Sequence, residues 1–197
     1  MYKVIGSVKS RTFRVLWMLE ELGVPYEHQN VPPHSAEVLA YNASGKVPIL
    51  LDGEVAISDS SAILTYLADK HGKLAAKAGT VERAHQDGML HQIIDEFDAV
   101  LWAVMRKSLG LQEHPDYQGL SAAFKREYKN NLDRLSDRIS GPFLMGDEIT
   151  LPDLILTHCG GWAYVAKFPN DNEKFNVYLK RLRSRPAYKA ALVKAVA

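Results

Sequence analysis

The spacing of apolar positions switches between strand and helix periods through the first part of the chain. Residues 2–6 are a short apolar run that predicts a strand. Residues 10–22 turn to helical spacing, with Phe13, Leu16, Leu19 and Leu22 recurring along one side. Gly23 stands where such a helix closes, and Pro25 blocks its continuation. Residues 26–31 read as a second strand ended by Pro32-Pro33, and residues 34–43 as a weak helix or loop. Two short apolar runs, 47–51 and 54–58, flank Asp52-Gly53, a strong hairpin signal. Residues 59–71 predict a helix with Ile63, Leu64 and Leu67 inward and Gly72 just past its end. Residues 73–80 lose all periodicity and read as a linker.

From residue 81 onward only helical patterns occur. One long helix is predicted over 81–109, with Met89, Ile93, Phe97, Val100 and Val104 at three- and four-residue spacings. Pro115-Asp116 opens a second helix to about Ile139, which Gly141-Pro142 breaks. Thr150-Leu151-Pro152-Asp153 opens a third to about Lys167, and its Thr and Asp suit a reciprocal capping box. Shorter helices are predicted over 173–182 and 186–195. The order β-α-β-α-β-β-α followed by helices alone predicts two domains. The first, residues 1–78, is an α/β domain with a small mixed sheet and helices on both faces; the second, residues 81–197, is all-α.

Composition narrows the partners. The net charge of +1 gives no reason to expect nucleic acid or an anionic membrane. The first 78 residues carry eight Lys/Arg and eight Asp/Glu, so neither part is a charged tail. Cys159 is the one cysteine, which excludes an internal disulfide and a Cys-rich metal site. No run of about 18 apolar residues and no signal-like start is present, so a cytoplasmic location with no membrane span is expected.

Two segments carry the chemistry. In Asn42-Ala43-Ser44-Gly45-Lys46-Val47-Pro48, a proline directly precedes a core strand. A cis Val47-Pro48 bond would turn the Val47 N–H and C=O toward solvent, free to pair with an extended peptide; a trans proline would only cap the strand. In Ile57-Ser58-Asp59-Ser60-Ser61, Asp59 and Ser60 fall at a helix N-terminus, which favours a bound carboxylate. The Ser60 hydroxyl can donate to that carboxylate and Asp59 can accept from an ammonium, a pair that suits the zwitterionic end of an amino acid. The alternative is an ordinary N-cap. Glutathione meets both segments at once. Its cysteinyl unit is an extended peptide for Val47, and its γ-glutamyl end carries the ammonium and carboxylate for Asp59 and Ser60.

Gly45-Lys46-Val47-Pro48-Ile49-Leu50 followed by Ile57 to Leu67 resembles the glutathione-site signature of the cytosolic glutathione S-transferases, with Ala43 where the family usually has proline. Residues 10–27, opening Ser10-Arg11, are similar to the first helix and second strand of bacterial and fungal members, and the Thr150–Asp153 box matches as well. The resemblance covers the whole chain. It implies a thioredoxin-like N-terminal domain, a helical C-terminal domain, a homodimer, a role in detoxification and glutathione as co-substrate with no metal. It also implies a residue near the start of the first helix that meets the glutathione sulfur. With no cysteine in the first domain, Ser10 is the candidate, as a hydrogen-bond donor to a thiolate; Ser7 and Thr12 compete for the role. Lys46 and His34 stand where members hold glutathione. Trp102 and Met105, with Arg106 and Trp162, are candidates for a hydrophobic co-substrate site between the domains. A non-catalytic binding or assembly module, or a glutathione-dependent peroxidase or isomerase, is the alternative.

Overall fold

The computed structural model of the protein describes residues 1–106 and 113–194. It opens with β1 (Tyr2–Ile5), α1 (Thr12–Leu22), β2 (Tyr26–Gln29), α2 (Ala36–Leu39), β3 (Ile49–Asp52), β4 (Val55–Ser58) and α3 (Ser60–His71). The expected β-α-β-α-β-β-α order is therefore present. The sheet runs β2-β1-β3-β4, with β1 parallel to β2 and antiparallel to β3, and β3 antiparallel to β4.

Boundaries shift for local reasons. α1 starts two residues later than its apolar spacing predicts, because the Ser10 and Arg11 carbonyls accept from the N–H groups of Phe13 (3.2 Å) and Arg14 (3.1 Å), three residues on, in a tighter turn. β2 stops at Gln29, the partner of Ile5 where β1 ends. β3 starts at Ile49, not Val47, since Pro48 has no N–H to give the ladder. The hairpin turns at Gly53-Glu54, because Asp52 already pairs with Val55.

The rest of the described chain is helical: α4 (Val81–Ile93), a π-helical stretch (Ile94–Ala99), α5 (Val100–Met105), α6 (Tyr117–Arg138), α7 (Leu151–Val165), α8 (Glu173–Arg183) and α9 (Pro186–Lys194). The single helix predicted over 81–109 is thus interrupted by a π stretch, which buries Phe97 and Asp98. It ends at Met105, where Arg106 turns extended (φ −76°, ψ 91°). Residues 107–109 and Ala195, predicted helical, lie outside the described residues. No described helix is long and apolar enough to cross a membrane.

The chain forms two compact units, residues 1–78 with those from Arg183 onward, and residues 79–182. The helices predicted over 81–197 are therefore shared between the units. In the first, Ile5, Ile49 and Leu51 face Val38 of α2. Strand alternation turns Val4 and Leu50, both fully buried, to the opposite side. Val15, Leu16, Trp17, Met18 and Leu19 are all fully buried, so α1 is covered on every side. Part of that cover is α9, whose Tyr188 ring meets Phe13 and Trp17 edge-on at 5.1 and 5.0 Å. Arg185 grips Glu21 through two hydrogen bonds of 2.6 and 2.7 Å. In the second unit Asp153, fully buried, accepts from the N–H groups of Leu144 (2.9 Å) and Thr150 (2.8 Å) and the hydroxyls of Thr150 (2.9 Å) and Tyr178 (2.7 Å). Burial pushes its carboxyl up against these four donors.

Candidate functional site

The first unit gathers the predicted glutathione residues around three loops at one end of its sheet. The loop before β3 is braced by Asn42, whose amide donates to the Lys46 carbonyl (3.0 Å) and whose Oδ1 accepts from the Ser44 N–H (3.1 Å). Val47–Pro48 is cis. Val47 makes no backbone hydrogen bond among the described residues. The Lys46 side chain is exposed. His34 is exposed too, and its N–H donates to the Gly45 carbonyl at 2.8 Å, which sets it beside this loop. Gly45 is required there twice over. Its φ is +67°, and a Cβ would lie 2.0 Å from His34 Nδ1.

The turn between β1 and α1 meets the same loop. A Cβ on Gly6 would sit 2.7 Å from the Val47 Cβ and 2.4 Å from Thr12 Oγ1, so Val47 closes directly onto this turn. The three candidate hydroxyls differ in setting. Thr12 is fully buried, with Oγ1 2.9 Å from Ser10 Oγ. Ser10 is half-buried; its hydroxyl donates to the Ser7 carbonyl (2.6 Å), and its oxygen accepts from the Thr12 N–H (3.2 Å). Ser7 is half-buried, its oxygen accepts from the Lys9 N–H (3.3 Å), and its proton has no acceptor among the described residues.

The third loop delivers the start of α3. Asp59 caps the helix: Oδ1 accepts from the Ser61 N–H (2.8 Å), the Ser61 hydroxyl (2.5 Å) and the Ala62 N–H (3.1 Å). The N-cap alternative is thereby present, but it uses one oxygen. Oδ2 has no hydrogen bond among the described residues and remains an acceptor at the surface. Burial of the carboxyl raises its pKa, but the bonds from Ser61 and Ala62 and the charge of Arg14 outweigh this and hold it below the usual carboxylate range. Asp59 also sits at φ 72°, ψ 126°, a conformation that costs a non-glycine residue about 1–3 kcal/mol and collects at functional sites. Ser60 follows, 3% exposed, and its oxygen accepts from Arg14 Nη1 at 3.2 Å.

Sequence reasoning missed Arg14, Asn42 and Ser61. Arg14 had a visible signal: a charged residue between Phe13 and Val15 in a helix that is otherwise apolar on that stretch. Asn42 and Ser61 act through local bonds that no periodicity reports.

Trp102 and Met105 belong to the second unit. Trp102 is half-buried and stacks on Trp162, with ring centroids 6.1 Å apart. The Trp162 ring lies 4.7 Å from that of His158. Met105, half-buried, ends α5, and Arg106 follows it.

The open Val47 backbone and the α3 start, with its Ser60 hydroxyl and Asp59 Oδ2, thus lie at one end of an α/β domain that is followed by a helical one. Known proteins narrow the class of this chain. Residues 10–70 match the family model described as glutathione S-transferase, N-terminal domain. The class-mu 26 kDa glutathione S-transferase isozyme of Schistosoma mansoni is 29% identical over 147 residues, 71% of this chain and 70% of that protein. A zeta-class glutathione S-transferase of Euphorbia esula is 29% identical over 189 residues, 87% of this chain and 79% of that one. Elongation factor 1-gamma 3 of Oryza sativa is 27% identical over 161 residues, 77% of this chain and 38% of that protein. Among solved structures, a glutathione transferase of Methylococcus capsulatus superposes over all of both chains with a TM-score of 0.86 and 26% identity. The first domain is thioredoxin-like and is followed by a helical domain, as in glutathione transferase structures. These matches liken the chain to glutathione S-transferases, most directly over residues 10–70.

Proposed function

We propose that the chain is a glutathione S-transferase that binds glutathione in its first domain and activates the thiol for attack on a hydrophobic electrophile. One observation carries this reading: Val47 and the Asp59-Ser60 pair are presented by adjacent loops of one domain, as an extended tripeptide with a zwitterionic end requires. In this reading the Val47 backbone pairs with the cysteinyl unit. Asp59 Oδ2 accepts from the γ-glutamyl ammonium, while Ser60 and the start of α3 receive its carboxylate. His34 and Lys46, both exposed beside the Val47 loop, hold the glycyl end.

Ser10 is the proposed partner of the sulfur, and the chain is the bacterial and fungal type with Ser-Arg at the first helix. Its hydroxyl would exchange the Ser7 carbonyl for the thiolate, at the amino end of a buried helix. Ser7 is the competitor, because its proton is already open. The reaction needs an oriented thiolate and an apolar surface for the electrophile, for which Trp102 and Met105 are proposed. A homodimer, a cytoplasmic location and a role in detoxification complete the reading.

The likeness to an elongation factor 1-gamma favours a second reading, a glutathione-binding assembly module without catalysis. Titration with glutathione, followed by turnover of an electrophile panel with and without it, separates the two. Saturable binding with glutathione-dependent conjugation is the expected result. Binding with no turnover of any electrophile would favour the assembly module, peroxide reduction or isomerisation in place of conjugation would reassign the reaction, and no binding would refute the site.

A further inference from the structure

We infer that Arg14 is a positioning residue for the γ-glutamyl carboxylate: its buried guanidinium, bonded to Ser60 Oγ, fixes the Ser60 hydroxyl as a donor toward the ligand. The inference rests on the proposed glutathione site and adds to it a residue that no ligand atom needs to touch.

Arg14 is 1% exposed, one of the largest fully buried side chains of the protein, in a helix whose neighbours are Phe13, Val15 and Leu16. A buried charge is expensive unless it is paired and hydrogen-bonded. The amino end of α3 is a poor companion for a cation, since the helix dipole already makes that end positive. Yet Nη1 reaches 3.2 Å to Ser60, the first residue of α3. Two positive sources therefore converge where the Asp59 carboxylate sits, and its lowered pKa reflects the Arg14 charge in part. A site that binds a second anion, the ligand carboxylate, gains from that convergence.

A serine hydroxyl has one proton and two acceptor lone pairs. The guanidinium has donors only, so the bond with Arg14 fills a lone pair of Ser60 and keeps the proton from pointing that way. The proton must then be directed to another acceptor. Without Arg14 the hydroxyl is free to rotate, and the donor that a carboxylate needs is only one of several rotamers. A donor fixed beforehand does not lose that freedom when the ligand arrives.

The test compares glutathione with an analogue that lacks only the γ-glutamyl α-carboxylate, 4-aminobutanoyl-cysteinylglycine, by calorimetry on the full chain. Arg14→Met should weaken glutathione roughly tenfold, the scale of one charge-assisted hydrogen bond, and leave the analogue unchanged. The KM for glutathione should rise by the same factor with kcat at saturation preserved. Ser60→Ala should behave alike, and the double variant should lose no more than either single one, because the two residues act on one hydrogen bond. Arg14→Lys keeps a donor and the charge, and should recover part of the loss. Should Arg14→Met fail to fold, Arg14→Lys decides the matter, since its smaller loss must still fall on glutathione alone. A loss shared equally by both ligands, additive losses in the double variant, or no loss at all would overturn the inference. If Ser60→Ala leaves glutathione binding intact, the proposed site itself fails. If Ser60→Ala weakens binding and Arg14→Met does not, only the role of Arg14 fails.

Discussion

Replacing Asp59 by asparagine separates binding from folding at the proposed site. The two carboxylate oxygens have different work: Oδ1 caps α3 with three hydrogen bonds, and Oδ2 is the open acceptor. Asparagine can keep its carbonyl oxygen in the Oδ1 position, and it tolerates positive φ better than most residues, so the φ of 72° is not a barrier. What Asp59→Asn removes is the charge that faces the ammonium. A hydrogen bond to a charged group contributes about 1.5–3 kcal/mol against about 1 for a neutral pair, so the loss is about 1–2 kcal/mol, a fivefold to thirtyfold rise in Kd. Asp59→Ala should lose as much binding and also destabilise the fold. It removes the cap, at about 0.5–2 kcal/mol, and leaves a β-carbon in a left-handed conformation with no side chain to bond the backbone. The assays are calorimetric titration and thermal unfolding of the same samples. The pH dependence follows from the lowered carboxyl. Its ionised form is favoured by the fold, so its contribution is complete above the unfolded value of 3.8 and is lost as the pH falls through the folded value. The acid limb of glutathione affinity should therefore lie below the ordinary carboxylate range in wild type and lose the Asp59 component in Asp59→Asn. An Asp59→Asn protein that is folded and binds glutathione as tightly as wild type would place the ammonium elsewhere.

Three further outcomes are expected. Ser10→Ala should bind glutathione almost as well as wild type but move the pH–rate profile upward, because the thiol would ionise nearer its free value; the thiolate absorbance of bound glutathione measures this. If Ser7→Ala shifts that titration and Ser10→Ala does not, the sulfur partner is Ser7. Asp153→Ala orphans the N–H groups of Leu144 and Thr150 and the Tyr178 hydroxyl; at about 1–3 kcal/mol for each buried orphan it should cost ~3 kcal/mol or more and lower Tm by roughly 10 °C. An unchanged Tm would mean those donors find water. Light scattering should give about 44 kDa, twice the 22.0 kDa chain, and a monomer at micromolar concentration would refute the homodimer.

The sequence carried the fold further than it carried the site. Alternating periods located β1 to α3 in the right order, because the apolar runs are short and glycine or proline punctuates their ends. The long helical stretch after residue 81 was legible as helix from Met89, Ile93, Phe97, Val100 and Val104, all of which are buried. Its π stretch was not, since a π turn preserves the apolar spacing to within one residue. At the proposed site, Val47-Pro48 and Asp59-Ser60 were singled out because one ligand suits both segments at once, while each alone also reads as an ordinary strand start or helix cap. Arg14 was not read, because its meaning depends on a partner 46 positions away. The hydroxyl candidates could be named but not ranked, since Ser7, Ser10 and Thr12 differ only in which local acceptor each one meets.

The helix α1 explains why these distant choices belong together. Its amino end follows the turn of Ser7 and Ser10, its first full turn carries Arg14 to Ser60, and its last turn presents Glu20 and Glu21 to α9. Glu21 accepts from both Arg185 and the buried Trp17 indole, while Glu20 accepts from Lys194 and the Tyr26 hydroxyl. Each of these bonds sits on a helix whose Val15 to Leu19 stretch is fully buried and close-packed. Such a helix has little room to shift or roll without disturbing the sheet, α3 and α9 together. The distance from the hydroxyl turn to the Asp59-Ser60 pair is then set by packing in the domain core, not by the loops that carry those residues. The loops carry the proposed glutathione residues, and the buried helix holds its two ends in register.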